Sequence, residues 1–132
     1  MSESTGRPLE GRILVVDDLN DAAASLALVC ELYGAEARVA CDGLDALTVG
    51  ALFLPDVVLM DISMPHMDGY EAARRIRAES WGKRLVLIAL TGWGRQGDIE
   101  AAREAGFDGH LLKPVGADAL IEKITELRSK QR

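Results

Sequence analysis

The sequence predicts a doubly wound α/β fold, in which helices cover both faces of a parallel β-sheet. Its 132 residues suit one domain, and 48% of them are hydrophobic, which is enough for a buried core. Nearly continuous runs of valine, isoleucine and leucine recur along the chain, as in "ILVV" and "LVLIAL", and such runs are typical of strands buried on both faces. Segments with helical spacing separate these runs, so that strand and helix alternate.

Five strands and five helices are predicted along the chain. The strands are expected at about residues 12–17, 36–40, 56–61, 84–90 and 108–112. The helices are expected at about residues 20–33, 44–51, 70–79, 98–105 and 117–130, and the second has the weakest pattern. Right-handed crossovers then favour a flavodoxin-like five-stranded parallel sheet with the strand order 2-1-3-4-5. We expect one domain at 11–129, with short tails at 1–10 and 130–132.

Capping residues are expected at the ends of two helices. Asn20 or Asp21 is the expected cap of the first helix, and Gly34 its end. Asp98 is the expected cap of the fourth helix, and Gly106 its end. The charged run "RRIRAE" in the third helix is interpreted as a solvated face.

Three carboxylates follow the first and third strands. Asp17 and Asp18 end the run "ILVVDD", and Asp61 ends "VVLMD". Strands 1 and 3 are neighbours in the predicted order, so these residues should converge in the crevice at the carboxyl ends of the strands. Like charges at close range require a proton or a cation, and oxygen ligands suit Mg²⁺. An aspartate beside such an ion can act as a nucleophile toward phosphorus and form an aspartyl phosphate.

The remaining strand ends carry groups that this chemistry needs. Thr91 ends strand 4 in "IALTG" and offers a hydroxyl, and Lys113 ends strand 5 in "LLKP" and offers a cation for phosphoryl oxygens. With "LVVDD" and "VVLMDISMPHMDG", these motifs in this order and spacing resemble the receiver domain of bacterial two-component response regulators. The resemblance covers about residues 11–129, and "TGWG…EAGFDGHLLKPV" is similar to receivers of hybrid sensor histidine kinases.

The resemblance implies a role for each residue of the predicted site. Asp61 would accept a phosphoryl group from a phosphohistidine on a sensor histidine kinase or a histidine phosphotransfer protein. Asp18 and Asp61 would bind Mg²⁺ directly, together with the backbone carbonyl of Ser63, and Asp17 would act mostly through a water. Lys113 would pair with the phosphoryl group.

The resemblance also implies a conformational switch that controls a downstream protein partner. Thr91 would move to hydrogen-bond the phosphoryl group, and His110 occupies the switch position, which is more often Tyr or Phe in the family. By itself, a histidine on a strand is also a common packed or surface residue. Trp93 is either a gate over the phosphoryl group, a partner contact or a loop anchor. The Lys113–Pro114 bond is often cis in this family.

Composition argues against several other classes of protein. The net charge of −6 disfavours nucleic acid binding, which needs clustered lysine and arginine. The apolar runs are too short for membrane insertion, and no secretory signal stands at the start, so a cytoplasmic location is expected. Cys30 and Cys41 lack metal-site spacing, and Cys30 is interpreted as a small core residue.

We expect a Mg²⁺-dependent signalling module that takes part only in its own phosphorylation and hydrolysis, not an enzyme acting on a metabolite. It would work alone through protein contacts or as the receiver of a hybrid kinase. One alternative is a phosphohydrolase with an aspartate nucleophile, but the Asp-x-Asp motif of the best-known such fold is absent after strand 1. A second alternative is a flavin-binding protein, which would need a phosphate-binding loop after strand 1. The segment "DDLNDAAAS" places acidic residues there, and these would repel a phosphate.

Overall fold

The computed structural model describes residues 7–62, 69–92 and 96–131, the side chains of 96–98 excepted. Within these residues the strands are β1 Gly11–Val16, β2 Ala35–Ala40, β3 Val57–Asp61, β4 Val86–Thr91 and β5 Gly109–Leu112. The α-helices are α1 Asn20–Leu32, α2 Gly43–Phe53, α3 Gly69–Ala78, α4 Gln96–Ala105 and α5 Ala117–Ser129. A short 3₁₀ helix, Ser80–Gly82, follows α3.

The strands form one parallel sheet in the order β2-β1-β3-β4-β5. This order confirms the predicted fold class. Strands β3 and β4 are buried along their whole length, because helices cover both faces of the sheet. The carboxyl ends of β1, β3, β4 and β5 therefore meet at one edge of the sheet.

The core has two layers, one on each face of the sheet. Helices α1 and α5 cover one face, where Ala27, Ile124 and Leu127 pack on β1, β3 and β4. Helices α2, α3 and α4 cover the other, where Phe53 and Ile76 pack on the same strands. None of the described helices has the length and the apolar character that a membrane span needs.

The start of α1 differs from the prediction. Neither Asn20 nor Asp21 caps the helix, because both lie inside it and the N-cap position is Leu19. The Asp17 carboxylate instead accepts a hydrogen bond of 3.0 Å from the backbone N–H of Leu19. An aspartate before the helix thus orders the turn that leads into it.

The start of α4 also differs, since this helix begins at Gln96 and Asp98 lies within its first turn. The predicted helix ends are confirmed. Gly34 and Gly106 follow α1 and α4 with φ angles of 106° and 115°, a conformation that glycine adopts without the strain of a side chain.

Cys30 is confirmed as a core residue, because it is fully buried on the side of α1 that faces the sheet. Burial raises the pKa of its thiol to about 12, and the thiol therefore stays protonated at neutral pH. Cys41 is exposed directly after β2.

Arg77 is the exception to the solvated helix face expected for "RRIRAE". Its side chain is only 20% exposed and forms an ion pair of 2.9 Å with Asp108. Its guanidinium also donates hydrogen bonds of 2.8–2.9 Å to the backbone carbonyls of Gly82, Leu85 and Gly106. Asp108 in turn accepts a bond from the N–H of Leu87. Arg77 therefore joins the end of α3 to the start of β4 and to the loop before β5.

We predict that Arg77→Met lowers the free energy of unfolding by about 2–4 kcal/mol, because it leaves backbone acceptors and a carboxylate without their donor. The matched control is Arg74→Met, since Arg74 lies on the same helix with a side chain that is 55% exposed. That change should stay within about 0.5 kcal/mol. Urea denaturation of both variants measures the difference, and equal midpoints would contradict the role of Arg77.

Candidate functional site

Three carboxylates lie together at the carboxyl edge of the sheet. Asp17 directly follows β1, and its N–H continues the ladder by bonding to the carbonyl of Ala40. Asp61 is the last residue of β3, in register with Leu90 of β4. Asp17 and Asp61 are buried, whereas Asp18 is partly exposed. The strand order brings these residues together, although more than 40 positions of sequence separate Asp17 and Asp61.

The three aspartates have the spacing and chemistry of a site for a hard cation. Each offers a carboxylate oxygen, and the three oxygens lie within 4.8 Å of one another. Magnesium is bound in proteins by one or two carboxylates and retains several waters. Asp18 is the most exposed of the three, so the cluster is open to solvent on its side. The residues present therefore fit Mg²⁺.

The surroundings of Asp17 oppose its ionisation. Burial raises the pKa of this carboxyl above its ordinary value, and the negative charge of Asp61 raises it further. The N–H of Leu19 and the ammonium group of Lys113 act in the opposite direction. The sum is a raised pKa of Asp17, caused first by burial and then by the neighbouring carboxylates, so that the protonated carboxyl is favoured relative to an exposed aspartate.

Lys113 supplies the positive charge of the site. Its Nζ donates a hydrogen bond of 2.8 Å to Oδ2 of Asp61, and its side chain is 35% exposed. The N–H of Lys113 also donates to the carbonyl of Thr91, which joins the ends of β4 and β5. Thr91 is buried at the end of β4. Thr91 thus borders the acidic cluster from β4, the strand next to β3, and Lys113 borders it from the segment directly after β5, the strand next to β4.

His110 lies on β5, in register with Ala89 of β4, and is partly buried. Neighbouring residues of a strand point to opposite faces. Leu111 belongs to the core under α1 and α5, so His110 lies on the face covered by α4. This is also the face of Ala89.

Two residues of the predicted site, Ser63 and Trp93, lie outside the described residues. The Lys113–Pro114 bond is cis, as the resemblance implied.

A groove beside the acidic cluster is the feature that sequence reasoning missed. It has a volume of about 440 Å³ and extends between α1 and the segment after β5, and Asp17 and Lys113 are among its lining residues. Its other lining residues are small or apolar: Ala22, Ser25, Leu26, Val29, Leu90, Pro114 and Val115. The sequence signal that could have indicated this groove lies in α1. The middle of this helix carries alanine, serine and leucine at positions where a solvent-exposed helix usually carries charged residues.

Comparison with known proteins identifies the family. A model of the response regulator receiver domain matches residues 13–125. The curated "Uncharacterized 14.6 kDa protein in sodA1 3'region" of Leptolyngbya boryana is 39% identical, over 86% of this chain and 87% of that protein. Response regulator PleD of Caulobacter vibrioides is 32% identical over 90% of this chain, which spans 26% of PleD.

A solved structure supports the same assignment. It is the receiver domain of sensor histidine kinase PA1611 from Pseudomonas aeruginosa, with a magnesium ion coordinated in its active site cleft. Its TM-score is 0.82 at 31% identity, with 91% of this chain and 98% of that chain covered. With the sheet order and the acidic cluster, these matches show that the chain belongs to the family of response regulator receiver domains, the phosphorylation-controlled modules of two-component systems.

Proposed function

We propose that Asp61 is the phosphoacceptor of this receiver, and that a phosphohistidine on a sensor histidine kinase or a histidine phosphotransfer protein is the donor. The contact between Lys113 and Asp61 carries the proposal, because it places a cation at 2.8 Å from a buried carboxylate oxygen. A phosphoryl group on Asp61 would add negative charge at the position that Lys113 already faces.

Each neighbour of Asp61 has a role in this proposal. Asp61 attacks phosphorus, and Lys113 transfers its hydrogen bond from the carboxylate to the phosphoryl oxygens. Asp18 and Asp61 would hold Mg²⁺ directly, together with the backbone carbonyl of Ser63, and Asp17 would hold it through a water. When bound, Mg²⁺ offsets the negative charge of the carboxylates and the phosphoryl group. The hydroxyl of Thr91 then donates a hydrogen bond to the phosphoryl group.

The proposed output is a conformational change read by a protein partner. Thr91 and His110 lie on neighbouring strands, and movement of Thr91 toward the phosphoryl group opens space that the His110 side chain enters. Trp93 remains a candidate gate or partner contact. The proposed domain is 11–129, with Leu9 packed against it. A cytoplasmic location and the lack of activity on external metabolites remain predictions.

The alternative of an aspartate-dependent phosphohydrolase is not favoured. The family match and the arrangement of Asp17, Asp18 and Asp61 on two strands both support a receiver. Turnover of a generic phosphomonoester such as p-nitrophenyl phosphate would separate the two functions, since a receiver should show none above background.

We predict that Asp61→Asn abolishes labelling by the small phosphodonor acetyl phosphate in the presence of Mg²⁺, because the amide is a poor nucleophile. The control is Asp118→Asn, an exposed residue in the first turn of α5, which should label normally. Phosphate-affinity electrophoresis measures labelling. Hydroxylamine-labile phosphate on the Asn variant would show that another residue is the acceptor.

We predict that Asp18→Ala weakens Mg²⁺ binding at least about tenfold, which corresponds to about 1.4 kcal/mol. Without metal the same variant should be more stable than the native chain, because less like-charge repulsion remains. The control is Asp21→Ala, because Asp21 is an exposed residue of α1. This change should alter neither the Mg²⁺ affinity nor the stability without metal. Calorimetric Mg²⁺ titration and metal-free urea denaturation measure the two effects. An unchanged Mg²⁺ affinity would remove Asp18 from the set of ligands.

We predict that His110→Tyr shifts the protein further toward its active form. Tyrosine has more apolar surface than histidine and gains more free energy when it enters the space behind β4. NMR spectra with and without beryllofluoride, a phosphoryl mimic, measure the shift on the face of α4, β5 and α5. If both proteins respond fully and alike, the side chain at position 110 takes no part in switching.

A further inference from the structure

Strand β2 forms one border of the sheet and has an unpaired side. Among the residues that the structure describes, it pairs with β1, and no strand lies on its outer side, which is the side away from β1. The carbonyl of Ala40 accepts a hydrogen bond from the N–H of Asp17, so Ala40 faces β1. Backbone groups alternate in direction along a strand, and the N–H and C=O groups of Ala35, Ala37 and Val39 therefore face outward.

A flexible side chain shields part of the outer side of β2. Ala37 is only 7% exposed, because its methyl group packs under α1 and the guanidinium of Arg38 donates a hydrogen bond to its carbonyl. This bond is 3.4 Å long, beyond the usual range for such bonds, and the Arg38 side chain is 54% exposed. A strand side with so light a cover is a template for pairing with another strand.

The charges of β2 are self-complementary when two copies pair. Glu36 contacts Arg38 at 3.5 Å, and Arg38 lies over the ring of Phe53 in α2, so both project on the face that α2 covers. In an antiparallel pair whose two-fold axis passes through Ala37, Glu36 lies opposite Arg38 of the second copy, and the reverse contact follows by symmetry. Opposite charges at such cross-strand positions stabilise a sheet, whereas like charges destabilise it.

The backbone favours the same register. Ala37 faces outward and would exchange N–H and C=O bonds with its own copy, and Ala35 would do so with Val39 of the second copy. Glu36 and Arg38 then form the non-hydrogen-bonded pairs of the ladder, in which side chains lie closest together. A shift of the axis by one residue would place two arginines or two glutamates opposite each other. Charge and backbone geometry therefore select one register.

Exposed apolar side chains border β2 on both faces of the sheet. On one face, Leu52 of α2 is 82% exposed and lines a groove of about 430 Å³ together with Glu36, Arg38 and Val39. On the other face, Leu28 of α1, the helix that packs on β2, is also exposed. A second copy paired with β2 would remove apolar surface from water at these positions.

We propose that this chain forms a homodimer in which the β2 strands of two copies pair antiparallel, so that one sheet continues through both copies. The interface consists of the outer side of β2, the reciprocal pairs of Glu36 with Arg38, and the leucines beside them. Antiparallel pairing places the two acidic clusters at opposite ends of the joined sheet, where each remains open. The dimer therefore does not depend on the proposed role of Asp61, and it leaves the face of α4, β5 and α5 uncovered.

Charge reversal tests the interface. Sedimentation velocity of the full chain at increasing concentration should show a reversible equilibrium between monomer and dimer. Arg38→Glu should raise the dissociation constant of the dimer at least about tenfold, because negative charges then lie opposite each other. The matched control is Arg75→Glu, which breaks an exposed ion pair of α3 and should leave the equilibrium unchanged.

Two complementary samples should recover the dimer. The double variant Glu36→Arg/Arg38→Glu again places unlike charges opposite each other, so it should dimerise more tightly than Arg38→Glu. An equimolar mixture of Glu36→Arg and Arg38→Glu should form heterodimers, because each strand of the mixed pair then carries one type of charge. Failure of both samples to recover the dimer would contradict the proposed register.

A backbone variant tests the pairing independently of charge. Val39→Pro removes an outward N–H and leaves the bonds between β2 and β1 in place, so it should weaken the dimer without unfolding the chain. Val39→Thr retains the N–H and is the matched control, which should dimerise as the native chain does.

Hydrogen exchange measured by NMR reports the register directly. The amides of Ala37 and Val39 should exchange more slowly as the dimer forms, whereas those of Arg38 and Ala40, which face β1, should not change. A chain that stays monomeric up to about 1 mM would overturn the proposal, as would a dimer that persists in both Arg38→Glu and Val39→Pro. Slow exchange of Ala37 and Val39 in a monomer would show that another segment occupies the outer side of β2, and would also overturn it.

Discussion

Repulsion among Asp17, Asp18 and Asp61 is the constraint on which the rest of the site depends. The fold collects these carboxylates at one edge of an apolar sheet, and burial raises the pKa of Asp17. The unfavourable free energy of bringing these carboxylates together is offset in part by the ammonium group of Lys113, which contacts Asp61, and by the N–H of Leu19, which donates to Asp17. Three carboxylate oxygens within 4.8 Å of one another still favour added positive charge, so a divalent cation suits this edge.

The sheet resists this repulsion because its strands are tied together up to the site. Beyond the ends of the strands, the N–H of Asp17 bonds to Ala40 and the N–H of Lys113 bonds to Thr91. The apolar runs below are buried against helices on both faces. The reactive side chains therefore project from a rigid base, and rigid elements hold functional groups more accurately than loops do.

The two ends of the sheet use charge in different ways. At the carboxyl edge Lys113 pairs with Asp61, and in the proposed function it would transfer this contact to a phosphoryl group. At the amino end of β4, Arg77 forms an ion pair with Asp108 and donates hydrogen bonds to several backbone carbonyls. These contacts hold α3, β4 and the loop before β5 together. Charged residues thus form the candidate functional site at the carboxyl edge of the sheet and a packing contact at the opposite edge. The apolar groove lies at the carboxyl edge, beside Asp17 and Lys113.

The sequence by itself determined the fold class and the residues at the strand ends, because apolar runs and alternation are local signals and the topology then places Asp17, Asp61, Thr91 and Lys113 at one edge. Helix starts were less predictable, since several polar residues near the start of α1 could act as its cap, and the hydrogen bond from the N–H of Leu19 to Asp17 formed in place of a cap by Asn20 or Asp21. The tertiary structure alone decided that Arg77 is enclosed and that a groove opens beside Lys113. Both features depend on distances between segments remote in sequence, and residue patterns within one segment do not encode such distances.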